Sequence, residues 1–462
     1  MAGKTAAAEG HWARDAVFYH LYPLGVCGAA RRNPGCGSPQ RSLGKLFAWF
    51  DHARRIGASA ILLGPVLESG THGYDVADYF RIDRRLGDRT GMAEVAEGAR
   101  DRGLRLVLDA VFHHVGRDFW AFRDVLDKGR ESRFADWFHL DFDARSPFDD
   151  PFAYQGWNGC HDLVKLNLHN PEVRAHLFEA VAAWVRDYGI DGLRLDAADH
   201  LEPEFLQDLG EWCRGLKPDF WLMGEVVKGP YSRWLEEGGL DSVTNYEGYK
   251  GLYSSFNDGN CFEIAYTLRR QFGEEGLYRA AGLYSFADNH DVDRVASRLH
   301  DPADLYPLYC LLFSMPGVPS IYYGSEFGLP GVKARHDDWP LRPALDLERL
   351  QGNRHRSELV RAIARLAHLR AQSPALRRGD YRQLLVSHRR LIFSRRTPGQ
   401  WLIVAVSAEK EPVDQELVLP EPLSGRLVDL LNPGEHFAIK DGRASIAPLW
   451  PCWARVLEVQ AS

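Results

Sequence analysis

The chain has 462 residues, 45% hydrophobic and 26% charged, with a formal net charge of −7. That balance excludes a disordered, collagen-like or coiled-coil chain and suits one large domain plus a small one. Lys/Arg and Asp/Glu are interspersed with no basic stripe, which argues against nucleic acid, and no apolar run is long enough for a membrane span.

The first fifteen residues, MAGKTAAAEGHWARD, lack the apolar core and cleavage site of a secretory leader, so a cytoplasmic location is expected. The seven cysteines are scattered, odd in number and free of CxxC spacing, the pattern of reduced thiols. Ala16–Tyr22 reads as a first strand. Ser42–Ile56 carries apolar residues at helical spacing and stops at Gly57. Ala58–Val66 is a second strand, Thr90 is the expected cap of a helix running to Gly103, and Arg105–Val111 is a third strand.

Residues 115–165 break the rhythm. They are rich in Asp, Gly, Pro and aromatics, and they read as a small inserted subdomain. Trp137, Phe138, Phe152, Tyr154 and Trp157 fit either its core or the lining of a cleft. Asn170 then caps a helix with Pro171 at its first position, ending at Gly189. Five more strands follow, at Gly192–Ala198, Phe220–Val227, Ser242–Tyr246, Leu283–Phe286 and Pro319–Tyr323. Eight strands alternating with helical sequence predict an α/β fold, a (β/α)8 TIM barrel over residues 1–380. From 381 to 462, short β-rich runs predict a C-terminal antiparallel β-sandwich.

Three acids stand where barrel strands end: Asp196, Glu225 and Asp291. Strand C-termini build the active sites of such barrels, and a carboxylate in an apolar strand is costly unless paired or used. Arg194 lies two residues before Asp196, hence on the same face of its strand, where it can hold that carboxylate ionised.

With these residues in view, the chain resembles the α-amylase family of retaining glycoside hydrolases and transglycosylases over essentially its whole length. DAVFHH (109–114), GLRLDAADH (192–200), Glu225, FADNHD (286–291) and GVPSIYYGSE (317–326) follow the family's motif order. LVKLN (163–167) is similar to the form found in neopullulanase and cyclomaltodextrinase relatives. The resemblance implies Asp196 as nucleophile, Glu225 as acid/base and Asp291 as the transition-state carboxylate. It implies His114 and His290 as ligands of sugar hydroxyls, Tyr74 as an apolar platform for the ring, and Asp338 with Arg342 as a clamp on the same sugar.

Two carboxylates about 5–5.5 Å apart would give cleavage with retention through a covalent intermediate. The expected substrates are short or cyclic maltooligosaccharides, with an α-glucan transglycosylase or a trehalose-forming isomerase as the alternative. Expected partners are therefore a small sugar, with no nucleic acid and no membrane, and the sequence leaves assembly into a homo-oligomer open.

Three departures stand out. His113 occupies the place of an asparagine that helps bind a structural calcium in many relatives, which argues against calcium, and no cofactor or metal is expected. Asp199 replaces a common lysine, and Val227 a tryptophan of the neopullulanase type. With the first strand expected near Ala16, the extra N-terminal domain of those enzymes is not expected here.

Overall fold

The computed structural model describes residues 11–335, 337–354 and 356–462; most of the stretch read above for a leader, 1–10, lies outside them. Eight parallel strands form the central sheet: β1 (Phe18–Leu21), β2 (Ala60–Leu63), β3 (Arg105–Ala110), β4 (Gly192–Leu195), β5 (Trp221–Gly224), β6 (Ser242–Val243), β7 (Tyr284–Phe286) and β8 (Val318–Tyr322). They run in the order β6-β5-β4-β3-β2-β1-β8-β7. A single parallel bridge, Thr244 to Tyr284, joins the two edges and completes a (β/α)8 barrel.

The strands are near-continuous apolar runs because both faces are covered. Among the surrounding helices are α1 (Pro23–Val26), α2 (Leu46–Arg55), α3 (Arg89–Asp101), α4 (Pro171–Tyr188), α5 (Pro203–Leu216), α6 (Tyr246–Asn257), α7 (Phe262–Phe272), α8 (Leu305–Ser314) and α9 (Arg356–Gln372). α4 begins as read, with Asn170 accepting from the N–H groups of Glu172 and Val173 at 2.8 and 3.4 Å and Pro171 in the first turn. α3 does not. Its cap is Asp88, which accepts from Gly91 N at 2.9 Å, so Thr90 sits inside the first turn.

Inside the barrel, period 2 sorts the side chains into layers. Phe18, Trp221, Tyr284, Val107 and Ala60 fill the lower part, with Phe18 and Trp221 stacked at 4.9 Å. Gly192 makes room for this packing, since a Cβ there would lie 2.4 Å from the Trp221 carbonyl oxygen. Two residues further along the same strands come Asp109 and Arg194, paired in register, and the interior becomes polar.

The segment 115–165 has its own small core. Phe122 packs against Tyr154 at 4.9 Å and Phe138 at 5.2 Å, with Phe152 fully buried beside them. Trp137 is also buried, its Nε1 donating to Glu172 at 3.2 Å. Trp157 stays outside this cluster.

The last eighty residues form an eight-stranded antiparallel sheet: β9 (Arg382–Val386), β10 (Arg390–Thr397), β11 (Gln400–Ser407), β12 (Val413–Val418), β13 (Gly425–Asp429), β14 (His436–Lys440), β15 (Arg443–Leu449) and β16 (Trp453–Ala461), in the order β9-β10-β11-β16-β13-β14-β15-β12. It closes on its own core of Ile392, Ile403, Leu427, Ile446 and Leu457, as a β-sandwich does. Alternate residues of β10 and β11, among them Leu391, Phe393, Leu402 and Val404, face the other way and join the barrel's core. All seven cysteines are free thiols. Among the described residues, no helix is long and apolar enough to cross a membrane.

Candidate active site

Asp196 and Glu225 each stand one residue past a strand end, after β4 and β5, and Asp291 lies in the loop that follows β7. Asp196 and Glu225 are buried, while the Asp291 side chain stays partly exposed above the polar layer. Arg194 organises them. Its Nη1 donates to both oxygens of Asp109 at 2.6 and 2.8 Å and to Asp196 Oδ1 at 3.1 Å, while Nη2 pairs with Glu225 Oε2 at 2.8 Å. The sequence suggested a bond to Asp196 alone; instead one guanidinium spans three carboxylates. Burial works against the charge on Arg194, but Asp109 and Glu225 outweigh it and hold the group cationic.

Glu225 is fixed from two more sides. The Ala197 N–H donates to Oε2 at 3.2 Å and the Tyr246 hydroxyl to Oε1 at 3.3 Å. Ala197 has φ +47, a left-handed conformation uncommon for alanine, which turns the chain sharply after Asp196.

The third carboxylate belongs to a second network. Asp291 contacts His290 Nε2 at 2.9 Å and Arg342 Nη2 at 2.8 Å, and the same Nη2 reaches Asp338 Oδ2 at 3.2 Å. Asp337 points elsewhere, pairing with Arg31 at 3.3 Å. Tyr74 was expected as an apolar platform for the ring. It is buried, its ring stacked on His290 at 5.5 Å and its hydroxyl bonded to Asp109 at 3.0 Å and to His290. It therefore joins the two networks as well as offering a ring. His114 lies with Nε2 3.9 Å from Asp196 Oδ2 and has no hydrogen-bond partner for that nitrogen among the described residues.

The electrostatics divide the acids. Burial raises the Asp196 carboxyl well above its ordinary value, helped by the charges of Glu225, Asp109 and Asp291 and opposed by Arg194. Burial pushes Asp291 the same way, but His290, Arg342 and Arg194 overcome it and hold the group well below the usual carboxylate range. Burial and the neighbouring His113 lower His114 to about 3, so it stands neutral as a hydrogen-bonding group.

Sequence reasoning did not assign roles to Asp109, Tyr246 or Asn289, whose amide donates to the Tyr246 hydroxyl at 3.3 Å. Asp109 was findable, because it pairs in register with Arg194 on the neighbouring strand. Tyr246 was not, since it reaches the site from the start of α6. His113 lies against His200, 5.4 Å between ring centroids, with Lys165 also near enough to depress its basicity. Imidazoles and an ammonium are not the oxygen donors calcium requires, so these residues do not fit that ion.

The catalytic-domain model of α-amylase matches residues 46–364. The chain belongs to the α-amylase family. It is thus a glycoside hydrolase, and the retaining chemistry general to that family applies to it. Neopullulanase 2 of Thermoactinomyces vulgaris is 30% identical over 463 residues, 94% of this chain and 76% of that one. A cyclomaltodextrinase of a Bacillus species is 29% identical over 86% of this chain and 74% of its own length. Among solved structures, a cyclomaltodextrinase superposes with TM-score 0.83 at 26% identity, covering 96% of this chain and 78% of that one. Cyclic α-maltosyl-(1→6)-maltose hydrolase from Arthrobacter globiformis gives 0.79 at 27%, covering 98% and 99%.

Proposed function

We propose that this α-amylase-family enzyme hydrolyses α-1,4 bonds of short or cyclic maltooligosaccharides in the cytoplasm. Residues 1–380 would form the catalytic unit and 381–462 an accessory β-domain. The observation that carries the catalytic assignment is the Arg194 guanidinium, whose two terminal nitrogens hold Asp196 at 3.1 Å and Glu225 at 2.8 Å. Holding both carboxylates on one planar guanidinium supports the close-spaced arrangement, about 5–5.5 Å, that a retaining enzyme uses.

Asp196 attacks the anomeric carbon from below while Glu225 protonates the leaving oxygen. The bond from the anomeric carbon to that oxygen breaks as the bond to Asp196 Oδ forms. Glu225, now a carboxylate, takes a proton from water, whose oxygen displaces Asp196 and restores the original configuration. Asp291, Arg342, Asp338 and His290 hold hydroxyls of the distorted sugar and favour the oxocarbenium-like state. His114 offers its free Nε2 to another hydroxyl, and the ring of Tyr74 backs the same sugar.

The substrate assignment is supported by relatives named cyclomaltodextrinase and neopullulanase. The location is supported by the unpaired thiols and by relatives named intracellular maltogenic amylase. Purified protein incubated with β-cyclodextrin, maltotriose, panose, trehalose and soluble starch is expected to consume the cyclic and short sugars and leave starch nearly intact. Longer or rearranged products without net hydrolysis would instead make the enzyme a transglycosylase or isomerase.

A further inference from the structure

Three residues past Asp291, on the same loop, stands Arg294, fully buried. Its fork faces two segments at once. Nη1 donates to the Tyr323 carbonyl at 2.9 Å and to Ser325 Oγ at 3.1 Å, just past β8, while Nη2 donates to the Leu341 carbonyl at 3.0 Å. The guanidinium lies over the rings of Tyr322 and Tyr323, 4.7 and 5.4 Å from their centres. Asp288, from the same loop, ties in beside it: Oδ2 accepts from Val295 N at 2.7 Å and from Ser325 Oγ at 2.8 Å.

Leu341 immediately precedes Arg342, the residue that grips Asp291. Arg342 donates through Nε to the His290 carbonyl at 3.1 Å and through Nη2 to Asp291 Oδ1 at 2.8 Å. Each loop therefore sends an arginine into the other. Arg294 holds the backbone next to Arg342, and Arg342 holds the backbone and carboxylate three and four residues before Arg294. The same two loops meet once more where Arg294 N donates to the Gly331 carbonyl at 2.9 Å. Carbonyls need no cation to be satisfied, and burying a charge is costly. What arginine supplies here is shape: one rigid plane with donors set to reach two segments, which an ammonium cannot copy.

We propose that Arg294 is a positioning residue for the reaction: by fixing the Leu341 carbonyl it sets the approach of Arg342 to Asp291 and, through that pair, the grip on the distorted sugar. This rests on the reading of Asp291 and Arg342 as that grip. The grip tightens in the transition state, so misplacing it lowers kcat more than it raises KM.

The test is a double-mutant cycle on variants shown folded by circular dichroism, with whichever of maltotriose and β-cyclodextrin the parent enzyme turns over faster. Arg294→Lys keeps the charge and loses one arm of the fork. Its kcat is expected to fall about tenfold, with KM changed less than about twofold. In an Arg342→Ala background the same substitution is expected to change kcat by less than about twofold, because its route to the sugar is already gone. Arg294→Gln repeats the cycle should the lysine variant not fold. A parent-like kcat in Arg294→Lys overturns the proposal. So does a loss carried by KM alone, or an equal loss in both backgrounds, which would make Arg294 a general support of the fold. If Arg342→Ala alone leaves kcat unchanged, the reading of the clamp itself fails, which is a separate outcome.

Discussion

Asp196 shows at the residue scale what this site costs. Its carboxyl is raised by burial, so the folded state resists the ionised form that the reaction needs. For an acid with a raised folded pKa, stability is highest below the unfolded value of about 3.9 and falls as pH rises through the window up to the folded value. Asp196→Asn removes that penalty. The variant is expected to lose turnover by about 10⁴-fold or more, and its Tm should exceed that of the parent at pH 7, with the gain vanishing near pH 4. A near-normal rate would remove Asp196 from the mechanism.

His113 and His114 have the opposite sign. Burial lowers both to about 3, so the folded protein keeps them neutral while the unfolded chain takes up protons below about 6.5. Stability from these two is present above pH 6.5 and is lost as pH falls toward 3. Tm measured from pH 7 to 4 is expected to drop over that range, and less steeply in His113→Asn.

The carboxylates were legible because Asp196 and Glu225 stand directly at the ends of apolar strands and Asp291 follows shortly after another, where a charge needs a reason. The bonds of Tyr74 were not legible. A tyrosine in HGYD says nothing of Asp109 and His290, which arrive from strands and loops far away in the chain.

Among the elements, α1 has a tighter constraint than its four residues suggest. It packs directly on the loop that carries Arg342. A Cβ on Gly25 would stand 2.3 Å from the Arg342 carbonyl oxygen and 2.7 Å from the Tyr323 hydroxyl. Backbone cannot yield as a flexible side chain can, so Gly25→Ala displaces the guanidinium that grips Asp291. We expect kcat/KM to fall by at least about tenfold with the fold retained by circular dichroism. Unchanged kinetics would mean that the loop moves without consequence.

Strand ends and helix caps were read within a few residues where apolar runs are long. They slipped where local chemistry competes, as at Asp88, whose carboxylate outcompetes Thr90 for the first free N–H groups of α3. The hairpin of Leu67–Ser69 with Val76–Ile82, which carries Tyr74, went unread because a bulged, half-exposed pairing has no clean period. β12, β14 and β15 were missed because their outward positions are exposed and polar, leaving little apolar signal.

For the molecule as a whole, the barrel and the C-terminal sheet meet around two buried arginines that have no carboxylate partner among the described residues. Arg370 on α9 donates to the carbonyls of Phe313 at 2.9 Å and Met315 at 3.3 Å, at the end of α8. Arg395 on β10 donates to Ser314 O at 2.6 Å, Asp380 O at 2.9 Å and Gly379 O at 3.0 Å. Cations at a helix C-terminus meet its unpaired carbonyls and its negative end. Arg395→Met would strand those carbonyls in the interface. Stability in urea is expected to fall by about 3 kcal/mol, with specific activity of the folded fraction unchanged at 25 °C. A loss below about 0.5 kcal/mol would mean the sheet is held by its apolar face alone.

The barrel is laced unevenly. Most neighbouring strands share several ladder positions, yet β6 has two residues and meets β7 through the Thr244–Tyr284 bridge. This thin join lies between the strand that leads to Glu225 and the strand that leads to Asp291. The ties across it are mostly single hydrogen bonds and side-chain contacts, among them Asn245 N to Tyr284 O at 2.8 Å and the Asn289–Tyr246–Glu225 chain of side chains. Transient parting of the staves would start here, and its first effect would be on the spacing between two of the three acids. Amide hydrogens at Thr244 and Asn245 would then exchange with solvent before those of the better-paired strands, and a bound sugar gripping both sides would act as a rivet that slows them.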